Sequence, residues 1–326
     1  MKRAVIIGLG SIAKRHASNL KKLYPDIKIL AMSSSGKLQD SPIIDVDELA
    51  TTINQVISFR PDFAIVASPA TFHFQHAKEL LKLNIPTLIE KPIAATRKDA
   101  KEMVVLANET KVPVSVAYCL RYLPAANIVK SILEENQLGP IYNVMAHVGQ
   151  YLPDWRKDKD YRFSVSASLK LGGGALLELS HELDYLHWFL GELHLKYALL
   201  RNTNELNLDV EEIADVILST DSGTICSVHL NLIQKKPQRY CNFVGEKGHL
   251  CWDLIENRVA IYTNEKENII YHEPFWDRNT MYLLMLKDFM QKITSQNHCK
   301  RILSSAMHTV ELIEKIKSQS NWGIKQ

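Results

Sequence analysis

The sequence has few cysteines, little excess charge and no long apolar run, and each shortage argues against a class of protein. The five cysteines are an odd number without a C-x-x-C pair, which argues against a disulfide framework and a zinc site. The 39 basic and 36 acidic residues give a net charge of +3, too small to indicate nucleic acid or an anionic membrane. No apolar run approaches the roughly 18 residues of a membrane span. We therefore expect a cytoplasmic protein that binds neither nucleic acid nor membranes.

The first 120 residues alternate between short apolar runs and helical patterns. The runs "AVIIG" at 4–8 and "FAIVAS" at 63–68 are typical of strands buried on both faces. This alternation predicts right-handed βαβ units and a doubly wound parallel sheet. The predicted elements are strands at 4–8, 27–32, 63–68, 87–90 and 114–118, and helices at 11–24, 46–59, 72–84 and 97–110.

The later half of the chain is dominated by strand patterns. It predicts an α+β domain over 121–326 with a large, mostly antiparallel sheet, after a parallel-sheet domain over 1–120. The predicted helices of this half are 122–136, 174–190, 279–294 and 300–318, and the predicted strands are 141–150, 195–203, 213–219, 223–232, 239–245, 249–253, 258–263 and 268–272.

A glycine loop joins the first predicted strand to the first helix. The segment "GLGSIA" places Gly8, Gly10 and Ala13 at the spacing G-x-G-x-x-A. Two glycines permit a tight turn and a close approach of the backbone to a pyrophosphate, and the small third residue permits close helix packing. In its βαβ context this loop predicts a Rossmann-type dinucleotide-binding domain.

The end of the second predicted strand bears on the choice of dinucleotide. It continues as "SSSGK", with no carboxylate before Asp40 to hold the ribose hydroxyls of NAD. The serines, Lys37 and Arg15 suit a 2′-phosphate, which favours NADP, and NAD bound without an acidic residue is the alternative. The predicted cofactor-binding residues are Gly8, Gly10, Ser11, Ile12, Ala13, Ser33, Ser34, Ser35, Lys37, Ser68, Pro69, His73, Glu90 and Lys91.

Four segments in succession resemble the signatures of the Gfo/Idh/MocA oxidoreductases. They are "GLGSIAKRH", "ASPATFHFQHA", "EKP" and "GGGALLELSHELDYLHWFLG". The resemblance implies NAD(P)-dependent oxidation or reduction of a hydroxyl or carbonyl carbon on a sugar or related compound. It also implies a homodimer or homotetramer through sheet faces, a cis Lys91–Pro92 bond, a lysine beside the nicotinamide and a helical histidine as acid and base.

The residues of "EKP" suit that chemistry on their own terms. Lys91 lies at the carboxyl end of a predicted parallel strand, where open α/β sheets bind ligands, and Pro92 restricts its backbone. A partly desolvated lysine can hydrogen-bond the reacting oxygen and offset the charge that develops there. We expect Glu90 to anchor local backbone or to pair with a nearby base.

A second cluster lies in "GGGALLELSHELDYLHWF". Glu178, His181 and Asp184 are three residues apart, which predicts one helix face, and an imidazole between carboxylates can exchange a proton near neutral pH. The family often places its acid four residues before the histidine, where this chain has Leu177, so Glu178 and Asp184 both remain possible orienting groups. A zinc site of Glu178, His181 and His187 is possible on paper, but hydride transfer needs no metal. The predicted catalytic residues are Lys91, His181, Glu178 and Asp184, with no metal ligand.

A third region, "GQYLPDWRKDKDYRF" at 149–163, mixes aromatic and basic residues. Aromatic faces suit sugar rings and arginine suits carboxylate or phosphate, although a solvated, charge-balanced loop is the alternative. The functional interpretation indicates a small anionic sugar, nucleotide-linked or carboxylated. This loop and the segment "LSHELDYL" also resemble family members associated with surface-polysaccharide or nonulosonic-acid sugar pathways, which implies a substrate of surface-polysaccharide metabolism. The predicted substrate-binding residues are Arg121, Tyr122, Tyr151, Trp155, Arg156 and Arg162.

Two other functions remain open at this stage. One is a non-catalytic regulatory protein of the same fold that binds a dinucleotide, and the other is a glycosidase that uses a retained cofactor transiently. The presence of Lys91, His181 and nearby carboxylates favours catalysis. Net accumulation of reduced nicotinamide would distinguish the oxidoreductase from both.

Overall fold

The computed structural model describes residues 1–37, 43–157, 159–264, 266–295 and 300–322. These residues form two compact units, and Asp40 lies outside the described ranges. The first unit contains 1–119 and 278–310, and the second contains 120–277 and 311–326. The division differs from the predicted one because 278–310 belongs to the first unit.

The first unit is built on a six-stranded parallel sheet in the order β3-β2-β1-β4-β5-β6. This is the doubly wound order of a dinucleotide-binding domain, so the predicted fold class is confirmed here. The strands are β1 (Arg3–Ile7), β2 (Lys28–Met32), β3 (Glu48–Ala50), β4 (Phe63–Val66), β5 (Thr87–Ile89) and β6 (Val114–Val116). The helices between them are α1 (Ser11–Leu23), α2 (Ile53–Phe59), α3 (His73–Lys82) and α4 (Arg97–Thr110).

The helix predicted over 46–59 is wrong in its first half. That half contains β3, which pairs in parallel with the end of β2. Helix α2 begins at Ile53. The side-chain oxygen of Gln55 in its first turn accepts the backbone N–H groups of Thr51 and Thr52, which precede the helix, at 2.9 and 3.1 Å. A strand of three residues is too short to interrupt a helical pattern visibly.

The second unit contains a nine-stranded sheet in the order β14-β13-β12-β11-β7-β10-β9-β8-β15. Neighbouring strands are antiparallel except in the pairs β7–β10 and β8–β15, which confirms the predicted sheet. Its strands are β7 (Ile141–Tyr151), β8 (His194–Arg201), β9 (Ile213–Ser219), β10 (Ile225–Asn231), β11 (Ile233–Gly245), β12 (Gly248–Asp253), β13 (Arg258–Tyr262), β14 (Glu267–His272) and β15 (Asn321–Trp322). Its helices are α5 (Pro124–Glu134), α6 (Ala175–Glu178) and α7 (His181–Leu190).

One face of this sheet is buried by helix α7. The ring of Trp252 on β12 is fully buried and lies 5.2 Å from the ring of Tyr185 and 5.9 Å from that of Phe189, between centroids. On the central strand β7, Val144 is buried while its neighbour Met145 is 48% exposed. Side chains along the strand therefore alternate between the face covered by α7 and the opposite face, here called the open face, on which Met145 lies.

The single helix predicted over 174–190 is two helices. The backbone leaves helical geometry at Leu179, where ψ is +29°, and α7 starts after Ser180. The N–H of Glu182 donates to the carbonyl of Leu179, three residues back, instead of continuing the four-residue pattern. Glu178 ends α6 and His181 begins α7, so their spacing by three does not by itself place them on one face.

The closing helices are α8 (Thr280–Thr294) and α9 (Lys300–Gln319). Helix α8 and the start of α9 pack onto the parallel sheet, where Phe289 meets Phe63 edge to face at 6.2 Å between centroids. Ile302 and Val310 of α9 join the same core. In the described ranges, no helix has both the length and the apolar character needed to cross a bilayer.

Candidate active site

The glycine loop between β1 and α1 has the geometry of a dinucleotide-binding turn. Gly8 has φ of +120°, and a Cβ built there would lie 2.4 Å from the carbonyl oxygen of Ala67, so both backbone angle and space require glycine. A Cβ built at Gly10 would meet no atom within 4 Å. Residues 11–13 form the first turn of α1, which contains no acidic residue. The open space at Gly10 and the N–H groups at the start of α1, with no acidic side chain in the first turn, fit a pyrophosphate.

The loop after β2 contains the residues predicted to select the dinucleotide. Ser33 is buried, and its Oγ accepts the backbone N–H of Ser35 at 3.4 Å and lies 3.2 Å from the hydroxyl of Ser35. Ser34 is half-buried and Lys37 is exposed. The turn therefore presents hydroxyl groups and one lysine.

His73, one of the predicted cofactor-binding residues, connects two loops of the first unit. Its ring is buried, with Nδ1 2.8 Å from the carbonyl oxygen of Pro92 and Nε2 2.8 Å from that of Ser68. Burial lowers the pKa of this imidazole, against the two carbonyls that raise it. His73 thus joins the loop after β4, which contains Ser68 and Pro69, to the segment after β5. The hydroxyl of Ser68 lies 3.0 Å from Nδ1 of His76.

The "EKP" segment follows β5 and is fixed by a buried ion pair. Oε1 of Glu90 lies 2.7 Å from Nε2 of His16 on α1, and Oε2 accepts the backbone N–H of Lys91 at 3.2 Å. The Lys91–Pro92 peptide bond is cis, as the resemblance implied. Glu90 therefore holds both the backbone at Lys91 and an imidazole, and Lys91 itself is half-buried.

His16 is a component of the site that the sequence interpretation missed. It is fully buried on the apolar face of α1, beside Ala13 and Ala17. Its ring meets that of Tyr282 edge to face at 6.4 Å, and the guanidinium of Arg15 lies over the same tyrosine at 4.7 Å. The sequence contained one signal for this pair: His16 lies on the apolar face of a predicted helix, and Glu90 lies at the end of a later predicted strand. Arg15, which we expected near a 2′-phosphate, stacks on this ring.

The loops after β1, β4 and β5 form one edge of the parallel sheet. These strands are adjacent, and parallel strands place their carboxyl ends on the same side. The glycine loop, Ser68 and Lys91 therefore belong to one ligand-binding edge, the position where open α/β sheets bind dinucleotides.

The glycine run of the second unit packs against protein backbone and a carboxylate. A Cβ at Gly173 would lie 2.5 Å from the carbonyl oxygen of Ser166, and one at Gly174 would lie 2.5 Å from Oε1 of Glu211. The same oxygen accepts the backbone N–H of Leu176 at 3.1 Å. The glycines thus permit the close packing that starts α6.

Asp184 and Arg121, predicted for separate roles, bind each other. Nε and Nη2 of Arg121 donate to the two carboxylate oxygens of Asp184 at 2.9 and 2.6 Å. Burial raises the pKa of the Asp184 carboxyl, and the guanidinium opposes that shift. The Arg121 guanidinium also lies over the ring of Trp188 at 5.5 Å, beside the half-buried Tyr122. Glu178 and Asp184 both remain candidates to orient His181.

A second buried ion pair on α7 was not predicted. Nε and Nη2 of Arg239 donate to the carboxylate of Glu182 at 2.8 and 3.1 Å, and the Glu182 side chain is fully buried. Nothing in the sequence pattern distinguished Glu182 from Asp184, since both follow His181 on the same short helix. The pair anchors α7 to β11 of the sheet.

Two further predicted substrate-binding residues, Arg162 and Tyr151, also have protein partners. Arg162 is exposed and donates from Nε and Nη2 to the carboxylate of Asp160, two residues away. These bonds hold the pKa of the Asp160 carboxyl below its usual range. The ammonium of Lys235 lies over the ring of Tyr151 at 4.9 Å. Both residues remain predicted substrate contacts.

Trp155 and Arg156 instead line a cavity of about 380 Å³ in the second unit. Its described lining also includes Lys159, Asp160, Tyr161 and Ser164. The aromatic and basic residues of the lining are of the types that indicated an anionic sugar. Asp160 both lines the cavity and pairs with Arg162.

Comparison with known proteins establishes the family. Residues 2–118 match the model of the oxidoreductase family with an NAD-binding Rossmann fold, and residues 127–251 match the Gfo/Idh/MocA C-terminal domain. The chain therefore belongs to the Gfo/Idh/MocA oxidoreductase family.

Individual relatives include enzymes that act on sugars. Glucose-6-phosphate 3-dehydrogenase of Bacillus subtilis (strain 168) is 29% identical over 67% of this chain and 62% of its own length. Two further curated relatives match over 53% and 58% of their lengths, so the chain spans less than two thirds of these three proteins. The dTDP-3,4-didehydro-2,6-dideoxy-alpha-D-glucose 3-reductase of Streptomyces antibioticus is 22% identical over 95% of this chain and 94% of its own.

The fold is shared with solved structures. The 3-ketoreductase KijD10 from Actinomadura kijaniata, in complex with NADP and TDP-benzene, superposes with a TM-score of 0.81 at 18% identity. The superposition covers 98% of each chain. At this identity the similarity shows the fold and leaves activity to be argued from the residues.

Proposed function

We propose that this chain is an NAD(P)-dependent oxidoreductase that transfers a hydride between the nicotinamide and a hydroxyl or carbonyl carbon of a sugar derivative. The observation that carries the proposal is the sheet edge of the first unit, where the open glycine loop and the fixed Lys91 follow neighbouring strands. The named activities of the sugar-oxidising and sugar-reducing relatives support it. The described cysteines are free thiols, which supports a cytoplasmic location.

The proposed chemistry divides between two side chains. The dinucleotide, when bound, accepts or gives the hydride at C4 of its nicotinamide. We assign Lys91 to hydrogen-bond the reacting oxygen and His181 to take the hydroxyl proton during oxidation, or to return it during reduction. Glu178 is proposed to orient the imidazole. Glu90 and His16 hold the backbone from which Lys91 extends.

The experiment for this function is a substrate screen with purified protein. Sugar phosphates, sugar acids and nucleotide sugars, in both hydroxyl (reduced) and keto (oxidised) forms, are supplied with each cofactor while nicotinamide absorbance is followed. We expect stoichiometric change in the cofactor with at least one anionic sugar. A dinucleotide that binds but never changes its redox state with any member of the panel would overturn the proposal.

We further propose that NADP(H) is the preferred dinucleotide and predict that it binds more tightly than NAD(H). The turn at 33–37 offers three hydroxyls and Lys37 and contains no carboxylate. Ser34→Asp should repel the 2′-phosphate and lower NADP(H) affinity by about tenfold or more, a difference of roughly 1.4 kcal/mol. Calorimetric titration with both cofactors measures this. Ser58→Asp, which adds the same charge on exposed α2, should leave both affinities unchanged, and equal or tighter binding of NAD(H) by the unmodified chain would contradict the preference.

We also propose a homodimer or homotetramer that forms through the open face of the nine-stranded sheet. Met145 and Ile269 are exposed on this face, and the rings of Tyr240, His147 and His229 stack across three strands with centroids 5.0 Å apart. Such a contiguous aromatic and apolar surface is typical of an interaction site.

Light scattering at micromolar concentration should therefore show a mass of two or four chains. Met145→Glu places a charge at the centre of the face and should shift the population towards monomer. Val105→Glu is the matched control, since Val105 is similarly exposed, at 47%, but lies on α4 of the first unit. A monomeric wild-type chain would refute this assembly.

A further inference from the structure

The cavity within 152–166 is large enough for a ligand. Its volume of about 380 Å³ falls in the range of small-molecule sites, and its lining is contributed by one short stretch of chain. Tyr161 and Phe163 lie in its wall, and Phe163 is largely exposed. Aromatic rings exposed around a cavity provide flat apolar surfaces for a sugar or base ring.

The loop that forms the cavity is held at several points. The N–H of Leu152 donates to the carbonyl of Leu232 at 2.9 Å, and the hydroxyl of Tyr161 donates to the carbonyl of Leu206 at 3.2 Å. Backbone at Ser166 packs against Gly173 with no room for a side chain. These contacts fix both ends and the middle of the loop, so the cavity is formed in the folded chain.

The aromatic part of the lining consists of Trp155, Tyr161 and Phe163. The ring of Phe163 is 87% exposed, while the indole nitrogen of Trp155 is buried. A sugar or base ring in the cavity therefore meets aromatic carbon surface rather than the indole N–H.

The charges of the wall favour an anion. Arg156 and Lys159 line the cavity, and no carboxylate among the described residues pairs with either side chain. Asp160 also lines the cavity, and its carboxylate is engaged by Arg162. Among the described residues of the wall, cations therefore outnumber carboxylates by two to one, and the one carboxylate already has a partner.

We propose that this cavity binds the anionic part of the substrate, a phosphate or carboxylate group together with the ring that bears it. Arg156 and Lys159 pair with the anion, and the aromatic rings of the wall pack against the ring that bears it. The inference deepens the proposed function, on which it rests, by naming the substrate class as anionic sugars. Neutral sugars are then poor ligands.

The test is equilibrium binding to the full-length protein, measured by calorimetry without turnover. The probes are inorganic phosphate, UDP, UDP-N-acetylglucosamine, glucose 6-phosphate, glucuronate and neutral glucose. We expect at least one ring-bearing anion to bind and glucose to bind at least about tenfold more weakly. The affinities of the phosphate esters and of glucuronate are compared to show whether the cavity prefers a phosphate or a carboxylate.

Matched substitutions assign the binding to the cavity. Arg156→Gln and Lys159→Gln should each weaken the bound anion by about tenfold, the usual scale for loss of a charge-assisted hydrogen bond. Phe163→Ala removes an exposed aromatic ring from the wall and should weaken binding of ring-bearing anions by about threefold to tenfold. Lys157→Gln removes a neighbouring exposed cation that does not line the cavity and should leave the affinity unchanged.

Dinucleotide affinity is the folding control, since the binding edge of the first unit should be unaffected by every one of these changes. If Lys157→Gln weakens anion binding as much as Arg156→Gln and Lys159→Gln do, the effect is one of overall charge, and the inference is overturned. Unchanged affinity in both Arg156→Gln and Lys159→Gln, or equal binding of glucose, would also overturn it. Failure of the oxidoreductase proposal gives a different result: the anion binds, but the redox state of the cofactor does not change.

Discussion

Lys91→Ala should lower kcat by a factor on the order of 10² or more while the affinity for the dinucleotide changes little. The lysine follows β5 at the ligand-binding edge, and Glu90 holds its backbone N–H at 3.2 Å. A cation placed at the reacting oxygen stabilises charge that develops only in the transition state, so its loss lowers rate more than binding. Steady-state kinetics together with calorimetric cofactor titration measure both quantities.

The matched control for this prediction is Lys98→Ala. Lys98 is exposed on α4, and its removal should change neither kcat nor cofactor affinity. Near-normal turnover by Lys91→Ala on the true substrate would mean that "EKP" is only a turn. A collapse of cofactor affinity in the same variant would instead assign Lys91 to binding.

His181→Ala should have a comparable effect on kcat, on the order of 10², which is within the usual range for loss of a general acid or base. It should also flatten the limb of the pH–rate profile near neutrality, because that limb reports the protonation of the imidazole. Glu178→Gln should weaken activity less and keep the limb, since an orienting group acts through the histidine. The pH dependence of kcat/KM distinguishes these outcomes.

His194→Ala is the corresponding control. His194 lies half-exposed on β8 and pairs with Asp221 at 2.6 Å, and it is not one of the predicted catalytic residues. Its removal should leave the profile intact. An unchanged neutral limb in His181→Ala would show that another group exchanges the proton.

The fold was largely predictable because its strongest signals are local and periodic. The glycine loop, the βαβ rhythm and the alternation along β7 each follow from side-chain spacing, and the structure confirms the two sheets. What the sequence could not show is how separate segments complete one sheet. Strand β3 has only three residues, and its assignment depends on pairing with β2 rather than on its own pattern.

The site was predictable in its residue types and less so in its pairings. The sequence placed His181 between two carboxylates, but the backbone break at Leu179 and the long-range pairing of Asp184 with Arg121 depend on tertiary structure. The same holds for His16, whose partner Glu90 lies 74 residues away. Helical spacing describes neighbours on one helix and cannot reveal which buried charges meet across elements.

The grouping of 278–310 with the first unit also depends on contacts between residues that are far apart in the sequence. The apolar face of α8 is evident from the sequence, but the surface that receives it is not. Phe289 of α8 packs against Phe63 of β4, and the side chains of Asn279 and Asn19 exchange hydrogen bonds at 2.7 and 3.1 Å. Contacts between residues so distant in sequence lie beyond any local pattern.

The central claim, hydride transfer to or from a sugar carbon, is tested most directly by following the hydride itself. The purified protein is incubated with a panel of anionic keto sugars and with reduced NADP that carries deuterium at C4 of the nicotinamide. The masses of the sugars are then measured by mass spectrometry. The account predicts a sugar product that contains one deuterium, formed in equal amount to oxidised cofactor, and a strongly reduced yield with Lys91→Ala. A regulatory protein would move no deuterium, and a cofactor-assisted glycosidase would cleave glycosides without net cofactor oxidation. Bound cofactor that leaves every sugar unlabelled, or glycoside cleavage at constant cofactor, would contradict the account.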